Sequence, residues 1–517
     1  MPHEIEIKLR IPPEALHGVA RLAWLREMAS GPAKRAKLVS VYFDTGKFKL
    51  RDRGVSLRLR RVGRKWVQTV KADGGGGAGA FGRSEWEHAV AADRPDFDAA
   101  KDTALDPLAT GKLRRRIRPV FRTEIWRTAI PLRCGDSELE LAVDRGQIVA
   151  GRRRRMVSEI EIELKRGDPV EIARLAGRIA QAVPVAYEPL TKPERGYALC
   201  AGTSSKPVHA DPVVLRPDFT TAESLRVIGL ECLRHLAANE RAVRTGESEG
   251  VHQMRVGLRR LRAAISVFRE LADDRETDAV KTELRWLTEQ LAPARDFDVF
   301  VTESVAPLAG AHAGASEIAL LRADMEQRRD AGFARAKAAV ESRRYRRLVL
   351  DVALWLGNGR WSADPDPLRE ARRARPIVPF ATEVLTRRSQ KIVKQAAKLE
   401  KLDMHQRHRL RIGIKKLRYA TEFFESLFAG AGQRARQKRL VETLKVLQDV
   451  LGQLNDMGVY QKLAGEIVER GKHPDRRPEK AFAMGMVAGR GQVKYEASVG
   501  AAMKASARLA AGRQFWQ

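Results

Sequence analysis

Charged and aliphatic residues alternate strictly at the amino terminus of this 517-residue chain. In the segment from Glu4 to Leu9, the alternation places Glu4, Glu6 and Lys8 on one face of a β-strand and aliphatic side chains on the other. This follows because successive side chains of a strand point to opposite faces. A solvent-facing strand of a β-sandwich alternates in the same way. The segment therefore predicts a strand but leaves the purpose of its charged face open.

Similar segments recur over the first 200 residues, with turn residues between them. They predict strands at 4–10, 38–44, 55–62, 65–72, 83–90, 119–132, 138–150 and 157–165. About eight short strands predict a closed antiparallel barrel or a sandwich. The glycine-rich stretch 74–79 lacks the lysine of a phosphate-binding loop, so it predicts a flexible hairpin loop.

Most of these strands carry charged or polar residues two positions apart, so that they share a face. These are Arg58 and Arg60; Thr69 and Lys71; Glu85 and Glu87; Glu138, Glu140 and Asp144; and Glu159, Glu161 and Glu163. Arg122 and Arg127 lie on one further strand, whose register the sequence leaves ambiguous. If the strands close, these faces line a water-filled tunnel, since unpaired buried charge is very costly. Scattered surface ion pairs are the alternative, which so many charged strands disfavour.

Acids and bases facing one another in a tunnel suit phosphate chemistry. Carboxylates hold hard divalent cations, and arginine and lysine hold the phosphate oxygens that the metal does not neutralise. Hydrolysis then needs a water placed in line and activated by a metal or a carboxylate.

The chain changes character after residue 202. Residues 203–218 carry three prolines and predict a linker. From about Thr221 onwards, apolar residues recur at intervals of three and four, which predicts long amphipathic helices. A proline-bearing break at 364–379 divides this region into repeats at about 219–363 and 380–515.

The two helical repeats carry the same basic motif 156 residues apart. Residues 252–262 read HQMRVGLRRLR and residues 408–418 read HRLRIGIKKLR. The spacing of three, four and three places one histidine and three cations on one helical face in each copy. These residues are His252, Arg255, Arg259 and Arg262 in the first copy and His408, Arg411, Lys415 and Arg418 in the second, with Arg260 and Lys416 beside them.

Three interpretations of this repeated basic face compete. A solvated surface is the simplest, but the pattern occurs twice beside the same apolar stripe. Nucleic-acid binding uses the same charge, although recognition of bases adds stacking aromatics and only 6% of the residues are aromatic. A polymer of pure phosphate offers charge and nothing to stack on, and it fits best.

Overall charge supports a polyanionic partner for both parts of the chain. The formal net charge is +31. Residues 1–200 hold 39 basic and 26 acidic side chains, and the remainder hold 57 and 39, so neither part is a mere basic tail. Three cysteines without metal or disulfide spacing suit a reducing compartment, and no signal peptide or membrane span is apparent. We therefore expect a cytoplasmic protein.

The first 200 residues resemble the CYTH superfamily, the triphosphate tunnel metalloenzymes. The matching motifs are Glu4-x-Glu-x-Lys8, residues 42–45, 57–60 and 69–71, and the segment from Thr191 to Tyr197. The resemblance implies a divalent-cation-dependent hydrolase of triphosphate, with Mg²⁺ or Mn²⁺ as the metal. It implies metal ligands at Glu4, Glu6, Glu85, Glu87, Glu140, Asp144, Glu161 and Glu163. It also implies phosphate-binding residues at Lys8, Arg58, Arg60, Lys71, Arg127 and Lys192.

The helical region, at about residues 219–510, resembles the conserved histidine α-helical domain, CHAD. That resemblance implies two pseudo-symmetric four-helix bundles that bind inorganic polyphosphate. The phosphate-facing residues would be the ten named above, with Asp296, Asp298 and Asp456 holding the cations in place.

The sequence therefore predicts an α+β multidomain protein. Its parts would be an eight-stranded antiparallel barrel at 1–202, a linker at 203–218 and an all-α domain at 219–515. The predicted function is metal-dependent hydrolysis of triphosphate or short polyphosphate, with the helical domain concentrating the enzyme on its substrate or on polyphosphate granules. A binding protein with an inactive tunnel is the first alternative, and a nucleic-acid binder is the second.

Overall fold

The computed structural model describes residues 5–19, 21–62, 65–73, 83–203, 206–312, 314–470 and 477–517. Glu4 and the glycine-rich stretch 74–79, both named in the sequence analysis, lie outside these ranges.

The first part of the chain folds around one antiparallel sheet, for which the structure describes nine strands. They are β1 (Ile5–Arg10), β2 (Lys34–Asp44), β3 (Val55–Val62), β4 (Lys65–Asp73), β5 (Arg83–Val90), β6 (Arg118–Cys134), β7 (Ser137–Ala150), β8 (Arg153–Arg166) and β9 (Ala186–Tyr187). Five helices accompany them: α1 (Leu16–Val19), α2 (Ala23–Glu27), α3 (Gly111–Arg114), α4 (Val170–Ala182) and α5 (Lys192–Ala201).

The predicted closed barrel of eight strands is wrong. The strand order is β5-β4-β3-β2-β6-β7-β8-β1-β9, and no pairing joins the two ends of this series among the described strands. The short strand β9 accounts for the difference at one end, because its pairs Leu9↔Tyr187 and Arg10↔Ala186 occupy the outer edge of β1. The sheet therefore has nine strands and stays open.

Alternation along the strands gives the sheet an apolar outer face and a charged inner face. Ile7 and Leu9 of β1 lie on the outer face, buried in one cluster with Ile160 and Ile162 of β8. Helix α4 covers this region with Ile172, Leu175 and Ile179. Burial of the apolar face leaves the charged face free to line a groove.

The second part of the chain is helical. Its helices are α6 (Thr221–Ala238), α7 (Glu240–Arg244), α8 (Ser248–Val267), α9 (Arg275–Val299), α10 (Ala306–Ala311), α11 (Ser316–Glu341), α12 (Arg343–Asn358), α13 (Pro367–Ala374), α14 (Ile377–Ala396), α15 (Met404–Phe423), α16 (Ala431–Arg470) and α17 (Arg477–Ala511). A π-helical turn, Phe300–Val305, joins α9 to α10. Within the described ranges, no helix combines the length and the apolar character needed to cross a bilayer.

One hydrophobic core joins the two helical repeats. Phe268 stacks on Phe380 at 5.0 Å between ring centroids and meets Phe424 edge-on at 6.3 Å. Phe268 and Phe424 are equivalent positions of the two repeats, and both are fully buried. The repeats therefore depend on each other for burial of apolar surface.

The two parts of the chain are in direct contact. Leu350 of α12 belongs to the apolar cluster beneath the sheet, and the Asn358 side-chain amide donates to the Pro169 carbonyl oxygen at 2.8 Å. The proline-rich segment between the parts also packs, since Val213 and Leu215 are buried in the helical core. This segment is irregular, as its prolines predict, but it is docked on the helices.

Candidate active site and basic helical face

Strand register brings the predicted acidic residues of three neighbouring strands into rows. Glu163 of β8 pairs with Glu6 of β1 on one side and with Glu140 of β7 on the other. Two residues along β8, Glu161 pairs with Lys8. These residues therefore share the inner face of the sheet.

The register also decides between the two arginines of β6. Arg127 pairs with Asp144, which in turn pairs with Glu159 of β8, so Arg127 belongs to the charged face. Arg122 lies five residues earlier and points to the opposite face, where its Nε donates to Glu124 at 2.6 Å.

A buried ion-pair network fills the middle of the charged face. The Lys192 Nζ lies 2.7 Å from an Asp144 oxygen and 2.8 Å from a Glu161 oxygen, and it also contacts Glu159. The Arg127 guanidinium donates to both Asp144 oxygens and to Glu161. Asp144 and Glu159 are completely buried, so their charges depend on these cations.

Helix α5 delivers two cations to this network. Thr191 and Glu194 form a capping box at its first turn, which fixes the position of Lys192. Arg195, one turn later, pairs with Glu159 and with Glu188. Gly196 lets this helix pack closely on the sheet, because any side-chain carbon at this position would come within 2.3 Å of the Phe121 ring.

The network shifts the pKa values of its members. Burial alone would raise the pKa of Glu161, but Lys192, Lys8 and Arg127 outweigh it and hold the pKa well below its usual value. Burial lowers the pKa of Lys8, but Glu6 and Glu161 produce a net upward shift. Glu161 is therefore ionised and Lys8 protonated at neutral pH.

A second cluster lies on β3, β4 and β5. Arg58 approaches Glu85 at 3.4 Å and Glu87 at 3.5 Å, and the Lys71 Nζ lies 2.7 Å from Glu85. The Thr69 hydroxyl donates to Glu87 at 2.9 Å. Glu85 and Glu87 thus lie beside the predicted phosphate-binding cations, at the opposite end of the strand series from Glu6.

Arg60 lies between the two clusters. Its Nε donates to the Ser40 hydroxyl at 3.1 Å. Burial, followed by the neighbouring charges of Arg58 and Arg127, lowers its pKa to about 10. Arg60 is therefore a protonated, crowded cation at neutral pH, which favours an anionic ligand beside it.

Two groups of carboxylates on the charged face could hold a divalent cation. Oxygens of Asp144, Glu159 and Glu161 lie within 4.8 Å of one another, which suits a hard metal ion. Lys192 already contacts all three, so an ion bound there would have to displace its ammonium. The row of Glu6, Glu140 and Glu163 offers oxygen donors on adjacent strands, of which Glu6 contacts Lys8 and Glu163 lies 2.7 Å from Lys165.

The sequence placed Glu159 on the charged face without assigning it a role, and it gave no role to Arg195. Glu159 continues the alternation of Glu161 and Glu163, so the signal was present. Arg195 falls within the segment from Thr191 to Tyr197 and lies three residues after Lys192, on the same side of a helix.

The basic face of the first helical repeat lies on α8. Arg255 donates to the Leu291 carbonyl at 3.2 Å and to Asp296 at 3.0 Å, and Arg259 donates to the Arg255 carbonyl at 3.3 Å. Asp298 pairs with Arg295 at 3.1 Å. Asp296 therefore holds one predicted cation, Arg255, in place, whereas Asp298 pairs with Arg295, which was not predicted to face phosphate. The side chain of Asp456 lies outside the described structure.

The matching face of the second repeat lies on α15. His408 is exposed, and Arg411, Lys415 and Arg418 are half-buried. Arg418 pairs with Glu422 at 2.8 Å. Helices α8 and α15 pack against each other, so the two basic faces belong to neighbouring helices.

Equivalent positions of the two motifs differ in burial. Arg260 is 4% exposed and lies over the Phe423 ring at 5.9 Å, so it is held away from the surface. Its counterpart Lys416 is exposed. Burial and the nearby cations Arg388, Arg262 and Lys391 lower the pKa of Lys416. Arg262 and Lys416 thus form a cationic surface group with these two residues of α14.

The folded chain defines a two-part protein, with a charged sheet face in one part and duplicated basic helices in the other. A CYTH domain profile matches residues 2–197, and a CHAD domain profile matches residues 228–465. The chain therefore contains a CYTH domain followed by a CHAD domain.

Individual relatives cover parts of the chain. An inorganic triphosphatase of Haemophilus influenzae is 26% identical over 205 residues, which are 38% of this chain and 55% of that protein. The chain thus spans about half the length of this curated relative. The crystal structure of the CHAD domain from Ricinus communis covers 59% of this chain and 97% of that domain, with 27% identity and a TM-score of 0.50. HpAC1 from Hippeastrum is described as having a dominant triphosphatase activity. Its structure matches 38% of this chain and 95% of the HpAC1 chain, with 19% identity and a TM-score of 0.29.

Proposed function

We propose that this protein hydrolyses inorganic triphosphate or short polyphosphate on the charged face of its sheet and binds inorganic polyphosphate on its helices. The observation that carries the proposal is the shared face, on which Glu6, Lys8, Arg58, Arg127 and Lys192 lie together with further carboxylates. The similarity to an inorganic triphosphatase supports the choice of substrate. We propose domain boundaries at 1–202, 203–218 and 219–515.

Carboxylates on this face would hold a divalent cation, Mg²⁺ or Mn²⁺. Glu6, Glu140 and Glu163 form a row on adjacent strands, and Glu161 adjoins it. The metal, when bound, would neutralise phosphate charge and activate the attacking water. Glu85 and Glu87 would also orient Arg58 and Lys71, with which they pair.

Cations of the same face would bind the phosphate chain. Lys8, Arg127 and Lys192 would act on one side, and Arg58, Arg60 and Lys71 on the other. The planar arginine group bonds phosphate oxygens in pairs, whereas lysine acts as a point charge. Such a site stabilises the charge that spreads over the transferred phosphoryl group.

A substrate panel tests the proposed activity. We expect orthophosphate release from triphosphate with Mg²⁺ or Mn²⁺, and weaker or no release from ATP and thiamine triphosphate, because the charges of this face are complementary to phosphate groups. Release should stop when EDTA removes the metal. An absence of release from triphosphate and from polyphosphate of every chain length would refute the proposal.

The helical part would bind polyphosphate across α8 and α15 and bring the enzyme to its substrate or to polyphosphate granules. Competition between polyphosphate and RNA at about 0.15 M salt tests this binding, since low salt would let any chain this basic bind nucleic acid. We expect polyphosphate to displace RNA and RNA to fail to displace polyphosphate.

Polyphosphate affinity is expected to rise as the pH falls from about 8 to 6. Burial and the cations Arg295, Arg259 and Arg255 lower the pKa of His252, against the opposing effect of Glu249. His252 is thus neutral in the free protein at pH 7, and a bound polyanion would favour its protonated form. Binding should therefore take up protons, which calorimetry in two buffers of different ionisation enthalpy measures. The same uptake in a His252→Gln variant would contradict this assignment.

A further inference from the structure

A cavity of about 490 Å³ lies between the CYTH and CHAD domains. Arginines from both domains line it: Arg10, Arg155 and Arg195 from the first, and Arg244 and Arg346 from the second. Three glutamates, Glu188, Glu240 and Glu341, also line it. The lining therefore carries five positive and three negative side chains.

Three of the five arginines already pair with the glutamates of this cavity. Arg10 donates to both Glu240 oxygens at 3.1 Å, and Arg244 lies 3.3 Å from Glu240 and 3.5 Å from Glu341. Glu188 lies 3.6 Å from Arg195. These pairs leave no carboxylate for the remaining two arginines.

Arg155 and Arg346 are those two. In the described part of the chain, the Arg346 guanidinium donates only to the Glu341 backbone carbonyl, at 2.8 Å, and the Arg155 side chain forms no hydrogen bond or ion pair. Burial lowers the pKa of Arg155, and the nearby cations Arg195 and Arg10 lower it further, whereas Glu188 acts in the opposite direction. A partly buried guanidinium that contacts no carboxylate is stabilised when an anion from solution pairs with it.

We propose that this interdomain cavity is a binding site for a small inorganic phosphate anion, with diphosphate as the preferred form. The lining supplies one such arginine from each domain, Arg155 and Arg346, and the planar donors of two arginines suit a ligand with two phosphate groups. The source of the ligand rests on the proposed function. Addition of water to triphosphate breaks one P–O–P bond and yields one diphosphate and one orthophosphate.

The cavity is connected to the charged face of the sheet. Arg195 is 3% exposed and contacts Glu188 on the cavity side and Glu159 on the sheet side. Glu159 in turn contacts Lys192. An anion that attracts Arg195 would therefore change the charge around Lys192. Diphosphate bound in the cavity would in this way alter the electrostatics of the sheet face on which triphosphate is hydrolysed.

Methyl NMR of the full chain tests the cavity without relying on turnover. Met156 lines the cavity and is 69% exposed, so its ¹³C-methyl signal, assigned with a Met156→Leu variant, is a local probe. We expect a saturable shift on titration with diphosphate, a weaker response to orthophosphate, and none to sulfate at matched ionic strength. Arg155→Gln and Arg346→Gln should each weaken diphosphate binding at least about tenfold.

Arg154→Gln is the matched control. Arg154 is adjacent on β8 but does not line the cavity, and its side chain contacts Gln147 at 3.3 Å. It should leave the Met156 titration unchanged. A second control, Arg58→Ala, weakens anion binding on the sheet face while leaving the cavity intact, and the Met156 shift should persist.

Several outcomes would overturn the cavity proposal. They are a silent Met156 signal, an equal response to sulfate, equal effects of Arg154→Gln and Arg155→Gln, or loss of the shift in Arg58→Ala. Normal triphosphate hydrolysis with a silent Met156 would refute the cavity site alone. A specific Met156 shift without hydrolysis would refute the proposed function alone.

Discussion

Replacement of Arg127 by alanine is expected to slow orthophosphate release from triphosphate at least about 100-fold, which corresponds to about 2.7 kcal/mol of lost transition-state stabilisation. Arg127 bonds both Asp144 oxygens and also contacts Glu161, so its removal disturbs the buried acids and removes a phosphate donor together. We also expect the free energy of unfolding to fall by about 3 kcal/mol, because Asp144 is fully buried and loses one of its two cations.

Arg122→Ala is the control for this experiment. It removes the same charge from the same strand, but its side chain lies on the other face beside Glu124. Its effect on turnover should be less than about twofold. Rates are compared at a temperature where circular dichroism shows all variants to be folded. Similar losses of turnover from the two substitutions would argue against the inner face as the active site.

The double variant Arg259→Ala, Lys415→Ala is expected to weaken polyphosphate binding at least about 30-fold. The two residues are equivalent positions on α8 and α15, and each would neutralise phosphate charge. The slope of log affinity against log salt concentration should fall by roughly 0.7 to 0.9 for each lost contact. Fluorescence anisotropy with labelled polyphosphate, at several salt concentrations, measures both effects.

A control of equal charge separates this face from general electrostatics. Arg322→Ala, Arg344→Ala removes two exposed arginines that already pair with Glu326 and Glu283. Long-range attraction alone would make both double variants equally weak, and that result would contradict a defined polyphosphate face.

Local patterns predicted much of the fold. Alternation located the eight longer strands to within a few residues, because one face of each had to be apolar to pack on a core. It could not reveal the two-residue strand β9, or that this strand would occupy the outer edge of β1. Closure of a sheet depends on contacts distant in sequence, which alternation does not report.

The candidate site was predicted only in part, because alternation shows which residues share a face but not how the strands align with one another. Alternation identified Glu6, Lys8 and Glu161, but the choice between Arg122 and Arg127 required the register of β6 against β7. The repeated helical motif predicted equal roles for Arg260 and Lys416. Packing of α8 against α15 buries the first and exposes the second.

Phosphate release by a Glu6→Gln variant decides whether the charged sheet face is a metal-dependent triphosphatase site. The substitution keeps the shape of the side chain and removes a carboxylate that is 22% exposed beside Lys8, so the fold should persist. We expect at least a 100-fold loss of Mg²⁺-dependent orthophosphate release from triphosphate, with polyphosphate binding unchanged. Glu124→Gln, on the outer face, should keep full activity. Undiminished release by Glu6→Gln would contradict the assignment of the charged sheet face as a metal-dependent triphosphatase site.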